Sequence, residues 1–190
     1  MKKIILAIAF CSLSAISCSA QHIIPLEDTY TYIGSEGGLL GDRDYVYVKD
    51  VNNLRDKFVG TWKGLYDLKS YEVVITPRTT DDGELKEDEL LLRYKITDIN
   101  GVVENTLNLP DDSPFVLKNG YMNESQGYVF SYIGRDVACG QNGWVFTQVY
   151  GDNKEKLQFF LSVEGENYPE CTTGAAVQIL PTESMELIKQ

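Results

Sequence analysis

Apolar and polar residues alternate with a period of two through most of the chain after residue 59, a pattern typical of β-strands with one buried face. In the segment 89–100, Leu90, Leu92, Tyr94 and Ile96 alternate mostly with charged or hydroxyl-bearing residues. The same period predicts further strands at 59–66, 69–77, 102–109, 126–134, 143–150, 156–164, 176–180 and 185–189, with a short strand at 45–48.

Short turns separate most of these predicted strands. Asp67–Leu68 and Asn100–Gly101 have the length of two-residue hairpin turns, and Asn and Gly both tolerate positive φ. Longer loops are predicted at 78–88, which is rich in charge, and at 110–120. The chain therefore reads as consecutive strands that turn back on one another.

Helices contribute little to the predicted fold. The one helical stretch beyond residue 20 is 51–58, with Asp50 as its N-cap. About eight strands in sequence predict an all-β domain over 45–190, an antiparallel up-and-down meander preceded by a flexible, glycine-rich tether at 18–44. Closure into a lipocalin-like barrel removes the exposed strand edges, so a barrel is favoured and a β-sandwich is the alternative.

The first 17 residues have the pattern of a signal peptide. Two lysines precede an apolar run, 4–16, which is too short to span a bilayer. Residues 15–18 resemble a bacterial lipobox and predict lipidation of Cys18, whereas ordinary signal cleavage after Ala20 is the alternative. Both predict an exported cell-envelope protein, either anchored to the outer membrane or periplasmic or secreted.

Charge and histidine content exclude several classes of function. Acidic residues outnumber basic ones by 28 to 17, and the formal net charge is −11. Such a surface repels nucleic acid and anionic lipid, so we expect no nucleic-acid partner and membrane contact only through the lipid anchor. His22 is the single histidine and lies a few residues from the processing site, so the predicted domain at 45–190 lacks an imidazole for a catalytic triad or a histidine zinc site. We predict no enzyme, no metal and no cofactor.

Two cysteines, Cys139 and Cys171, remain in the predicted domain. A pair of cysteines in an exported protein is most simply a disulfide, with two buried free thiols as the alternative. The disulfide would close a loop of about 33 residues and contribute about 3–4 kcal/mol to stability.

Gly60, Thr61 and Trp62 resemble the G-x-W opening of lipocalin-like barrels. The resemblance implies that Trp62 closes one end of the barrel and that the last strand, 185–189, returns beside the first. Lys189 is the late cationic residue available to stack over the indole. More closely, the leader junction, the Ile-Pro-Leu-Glu segment and the Phe-x-Gly-Thr-Trp-x-Gly core resemble a family of exported Bacteroidota proteins of unknown function. That resemblance implies location and architecture, and no activity.

Aromatic residues on the predicted strands could line a barrel interior or pack as an ordinary core. They are Tyr94, Tyr128, Phe130, Tyr132 and Phe159.

The sequence supports two hypotheses about function. The first is a non-enzymatic protein that binds a small apolar ligand inside the barrel. The second is an interaction or inhibitor module that contacts another envelope protein through loops 78–88, 110–120 and 165–175. A remote third is a carbohydrate hydrolase that uses two carboxylates roughly 5–9 Å apart.

Overall fold

The computed structural model describes residues 22–190, and the regular structure in this range is almost entirely β. A single 3₁₀ helix covers Leu26–Tyr32 in this range. The predicted signal peptide and Cys18 lie outside the described residues. The strands are β1 (His22–Pro25), β2 (Val46–Lys49), β3 (Gly60–Tyr66), β4 (Lys69–Asp81), β5 (Leu85–Asp98), β6 (Gly101–Asn105), β7 (Lys118–Met122), β8 (Tyr128–Ile133), β9 (Asn142–Tyr150), β10 (Lys156–Val163) and β11 (Met185–Lys189).

The eleven strands form one mixed sheet, in the order β1-β2-β5-β4-β3-β11-β10-β9-β8-β7, with β6 beside β5. The β1–β2 and β2–β5 pairs are parallel, and the remaining neighbours are antiparallel. The prediction of an all-β fold is confirmed. The sheet is not closed into a barrel, and two parallel pairs interrupt the predicted antiparallel meander.

The long strand β5 accounts for the incomplete closure. One edge of β5 pairs with β4 along most of its length. The other edge is divided between β2 near Leu85, β6 near Asp98, and an isolated bridge that joins Leu92 to Leu117. Two hydrogen bonds of 2.9 and 3.0 Å form this bridge, just before β7 begins. β2 and β6 occupy the two ends of that edge, and between them β7 meets β5 only near this bridge.

The core is anchored by Trp62, whose side chain is fully buried. Its indole N–H donates to the Phe58 carbonyl at 2.8 Å, and the Lys189 ammonium lies 5.1 Å from the ring centroid. β11 returns antiparallel beside β3, with Lys189 opposite Trp62, so the predicted return of the last strand is confirmed. Gly64 permits this approach, because a Cβ there would lie 2.5 Å from the Glu186 carbonyl oxygen.

Several local predictions differ from the structure. The charged segment 78–88 is not a loop but the paired ends of β4 and β5. The predicted helix at 51–58 is a series of turns, although Asp50 does accept hydrogen bonds from the N–H groups of Leu54 and Arg55. The predicted strand at 176–180 is irregular, and β7 lies partly within the predicted loop at 110–120.

The segment predicted as a tether contributes to the core. β1 pairs with β2, and Ile24 and Leu26 are buried. An apolar run of two or three residues is too short to show a period, so local patterning cannot distinguish it from a linker.

Cys139 and Cys171 form a disulfide, as the sequence predicts. It ties the turn before β9 to the exposed segment between β10 and β11. The segment 164–175 holds few buried side chains, so the covalent link supplies order there that packing does not.

Replacing both cysteines with serine is expected to lower the free energy of unfolding by about 3–4 kcal/mol, because the 32-residue separation makes loop closure costly in the unfolded chain. Urea unfolding of the oxidised protein and the double variant measures this difference. Reducing the wild-type protein should reproduce the loss, and equal midpoints for oxidised and reduced protein would contradict the expectation.

Candidate functional site

A groove of about 420 Å³ lies where β5 and β7 separate beyond the Leu92–Leu117 bridge. The 3₁₀ helix and the turns after it form one wall, β2 and β5 form a second, and β7 forms a third. The lining residues are Leu26, Thr29, Tyr32, Ile33, Gly38, Leu39, Val48, Glu87, Asp88, Glu89, Asn119, Gly120 and Tyr121.

The shape of β7 keeps the groove open. Asn119 has a φ of 52°, and the pairing of β7 with β8 shifts register between Lys118 and Tyr121. A Cβ at Gly120 would lie 2.2 Å from the Val129 carbonyl oxygen, so only glycine allows β7 to lie this close to β8. β7 therefore lies against β8 at Gly120, on the far side of the groove from β5.

Asp88 is held by four groups from three parts of the chain. Its oxygens accept hydrogen bonds from the Thr79 hydroxyl at 2.7 Å, the Asp50 N–H at 3.0 Å and the Tyr47 hydroxyl at 3.1 Å. The guanidinium of Arg55 lies 3.6 Å away. Burial on its own would raise the pKa of Asp88, but these donors outweigh it and hold the pKa below its ordinary value.

Arg55 joins the turn region 50–58 to the β4–β5 pair. Its Nε donates to Asp50 at 3.1 Å, and one terminal nitrogen donates to the carbonyl oxygens of Arg78 and Glu89 at 3.1 and 3.0 Å. The Arg55 side chain is 15% exposed, so these bonds form in a largely dry environment.

Glu89 is also fully engaged. Arg78 donates to its Oε1 through Nε at 3.0 Å and through a terminal nitrogen at 2.6 Å. The Asn119 N–H donates to Oε2 at 3.2 Å, across the gap between β7 and β5. Both oxygens of Glu89 therefore have partners.

Glu87 differs from its two neighbours. Within residues 22–190 its carboxylate has no hydrogen-bond or ion-pair partner, although its backbone pairs with both β2 and β4. Burial raises the pKa of Glu87 above its ordinary value, and the charges of Glu89 and Asp82 raise it further. Of the three acids at the groove, Glu87 is the one with oxygens available to a ligand.

The five aromatic residues predicted as cavity lining lie in the packed core, each at most 2% exposed. The rings of Tyr128 and Phe130 are 4.7 Å apart, and the Tyr128 hydroxyl accepts a hydrogen bond from the Leu90 N–H. None of the five lines the groove. Gly60, Thr61 and Trp62 lie on β3, outside the groove lining.

Sequence reasoning missed the groove because its walls come from segments distant in the chain. The charged loop predicted at 78–88 includes Glu87 and Asp88, whereas Asp88 is paired with Arg55, and Glu89 after it is paired with Arg78. One feature of the sequence indicates the Arg78–Glu89 ion pair. Arg78 and Glu89 lie at equal distances on either side of the turn between β4 and β5, so a hairpin places them opposite each other.

No cluster of three or more His, Cys, Asp or Glu side chains within residues 22–190 could hold a metal ion. Nor does a helix in the same range have the length and hydrophobicity required to cross a membrane.

Because the pKa of Asp88 is lowered in the folded protein, we expect the free energy of unfolding to depend on pH in the acidic range. A carboxyl group with a lowered folded-state pKa stabilises the fold above its unfolded-state pKa, and this contribution is lost as the pH falls through the folded-state value. We therefore expect the free energy of unfolding to decline below about pH 4. Glu87 acts with the opposite sign, because protonation relieves the cost of burying its charge.

Urea unfolding at stepped pH values measures this dependence. Asp88→Asn should be less stable at neutral pH and should show a shallower decline in acid. An unchanged slope in that variant would assign the acid sensitivity to other carboxylates.

The fold and the groove together define an all-β protein with a single mixed sheet and a lateral groove lined by apolar side chains and carboxylates. The chain belongs to a family of unknown function (DUF6705), whose sequence model matches residues 1–158. The matched range includes every lining residue of the groove and ends before β11. No curated protein matches the chain, and no solved structure does.

Proposed function

We propose that this protein binds a small, largely apolar ligand in the groove between β5 and β7 and catalyses no reaction. One observation carries the proposal: a groove of about 420 Å³ combines apolar walls with a carboxylate that has no partner within the described range. Its volume lies in the range of about 300–1,000 Å³ that is typical of small-molecule sites. Leu26, Leu39 and Val48 supply apolar surface, and Glu87 supplies a polar contact.

The ion pairs support a binding role over hydrolysis. A carbohydrate hydrolase of the two-carboxylate type needs one group to act as acid and another as base or nucleophile. Asp88 and Glu89 already use both of their oxygens within the protein, which leaves Glu87 alone. A single carboxyl group without a second acid or an imidazole can orient a ligand but cannot complete that mechanism.

The proposed location is the cell envelope, with a signal peptide at 1–17 and a lipid anchor on Cys18. The basis is the pattern of the first 18 residues, together with a disulfide of the kind that persists in an oxidising compartment. The intact mass of the mature protein tests this directly. A diacylglyceryl adduct on Cys18 supports anchoring, and a chain that begins at Gln21 supports soluble export.

The finer description of the fold is likewise a proposal. Burial of Trp62 beneath Lys189 and the return of β11 beside β3 support a relationship to lipocalin-like barrels. In this interpretation the groove lies beside β2, which pairs with β5 where a barrel would close.

Amide NMR shifts during titration with 1-octanol test the binding site. We expect shifts at Val48, Gly120 and Tyr121 in the wild-type protein. Ile33→Trp should reduce them, because Ile33 lies at the groove and is 59% exposed, so a larger side chain narrows the groove without disturbing the core. Ile99→Trp is the matched control, since Ile99 is 97% exposed on a distant turn. Absent shifts, or equal shifts in both variants, would contradict the proposed site.

A second candidate is a protein-interaction module. Leu68 on the β3–β4 turn and Ile99 on the β5–β6 turn are each 97% exposed. The two turns are neighbours because Ser70 on β4 pairs with Thr97 on β5. Exposed apolar side chains grouped at one end of a sheet are typical of contact surfaces. Cross-linking in the native envelope, compared between wild type and a Leu68→Asn, Ile99→Asn double variant, tests this role.

A further inference from the structure

From the groove we infer that the preferred ligands are small amphipathic cations, with an apolar body against the lining and an ammonium or guanidinium group at Glu87. This inference rests on the proposed binding function. It adds the charge of the ligand and the residue that recognises it.

The first step of the argument is the charge of the groove. Glu87, Asp88 and Glu89 supply three carboxylates. Arg55 lies 3.6 Å from Asp88, and Arg78 lies 2.6 Å from Glu89. Two of the three negative charges are therefore compensated within the protein, and the charge of Glu87 is not.

The second step concerns Lys86, which precedes Glu87 in the chain, and Lys118, which precedes Asn119; both are engaged elsewhere. Lys86 lies over the Tyr47 ring with its ammonium 4.7 Å from the centroid. Lys118 on β7 donates to the carbonyl oxygens of Asp111 and Ser113 at 2.9 and 3.1 Å. Neither lysine is among the groove-lining residues.

The third step is the environment of Glu87. Its carboxylate is partly buried beside apolar walls and close to the charges of Glu89 and Asp82, and these surroundings raise its pKa. A cation within hydrogen-bond distance offsets both the burial and the repulsion. An anion at the same place is repelled by the uncompensated charge of Glu87, and a neutral polar group gains only an ordinary hydrogen bond.

The fourth step is the rest of the lining. Leu26, Ile33, Leu39 and Val48 bring hydrocarbon to the groove. A fully hydrated ion would lose its hydration against these walls without replacement, so the ligand needs an apolar part. The combination selects a hydrocarbon body that ends in a cationic group.

Titration with octylammonium and with 1-octanol separates charge recognition from apolar binding, because the two probes differ only in the head group. Dissociation constants come from amide NMR shifts of groove residues at pH 7. Wild-type protein is expected to bind octylammonium about tenfold or more tighter than octanol, the ratio that a charge-assisted hydrogen bond supplies. Glu87→Gln should remove this preference and leave octanol affinity within about twofold.

Glu84→Gln is the matched control. Glu84 is exposed on the turn between β4 and β5, carries the same side chain and does not line the groove, so this variant changes the net charge equally. It should keep the preference for octylammonium. If the preference falls equally in both variants, long-range attraction to the acidic protein explains it and the assignment to Glu87 is wrong.

The remaining outcomes distinguish the two proposals. Equal binding of octanol and octylammonium to the groove of wild-type protein would overturn cation recognition and leave the apolar binding site standing. Failure of both probes to shift groove residues would overturn the binding site and the inference together.

Discussion

Replacing Trp62 with alanine is expected to lower the free energy of unfolding by about 3–5 kcal/mol, the usual cost of removing a large aromatic side chain from a core. The indole is fully buried on β3, its N–H donates to the Phe58 carbonyl, and the Lys189 ammonium lies over its ring. Alanine removes the packing between β3 and the returning β11 and leaves that carbonyl without its donor. Urea unfolding followed by circular dichroism measures the change.

Trp62→Phe is the control for packing. It keeps an aromatic ring in the core and removes the N–H donor, so a smaller loss of about 1–3 kcal/mol is expected. Lys189→Met should cost less than either change, because the ammonium reaches the ring from a half-buried position. A loss below 1 kcal/mol for Trp62→Ala would contradict a structural role for this residue.

The second large effect is expected at Arg55, where methionine should cost about 3–5 kcal/mol, the usual penalty for removing one partner of a buried ion pair. The substitution leaves the carboxylates of Asp50 and Asp88, whose side chains are 3% and 9% exposed, without their shared cation. It also removes a guanidinium nitrogen that donates to the carbonyl oxygens of Arg78 on β4 and Glu89 on β5 and thereby links these two strands.

Two comparisons check the origin of this loss. Arg43→Met removes an exposed arginine and should change stability by less than about 0.5 kcal/mol. Adding Asp88→Asn to Arg55→Met should recover part of the loss, since the amide needs no counter-charge. A double variant whose loss equals the sum of the single losses would show that Arg55 and Asp88 are not coupled.

The strands with a sustained period were predictable from local sequence. The alternation of Leu90, Leu92, Tyr94 and Ile96 places these residues on the buried face of β5, and all four are at most 2% exposed. The hairpin at Asp67–Leu68 forms with both residues at positive φ, 47° and 61°. Such features depend on neighbours within a few residues, which is the range that periodicity and turn chemistry report.

The segment 78–88 shows why charge alone is a poor guide to local structure. Its density of acidic residues is typical of a solvated loop, yet Thr79 and Arg78 on β4 lie opposite Asp88 and Glu89 on β5 and satisfy them. A carboxylate with a cross-strand donor can be buried in a sheet. The identity of the donor is decided by strand register, which local sequence does not specify.

The groove was not predictable for a related reason. Leu26, Glu87 and Gly120 are separated by long stretches of chain and meet only after the sheet has formed. Whether they come together depends on which strands pair with the second edge of β5. Several long-range pairings compete for that edge. Each candidate pairing satisfies the same local alternation, so the pattern cannot rank them.

The amino-acid sequence by itself determined the all-β class, the disulfide partners and the pairing of the last strand with the strand that carries Trp62. The first follows from local periodicity and the second from the two cysteines in the predicted domain, and the third is implied by the resemblance that Gly60, Thr61 and Trp62 carry. Only the tertiary structure decided that the sheet stays open between β5 and β7, that Asp88 and Glu89 are neutralised by arginines, and that Glu87 is not. These outcomes depend on many contacts between segments that are distant in the chain, and the local sequence of one segment does not specify them.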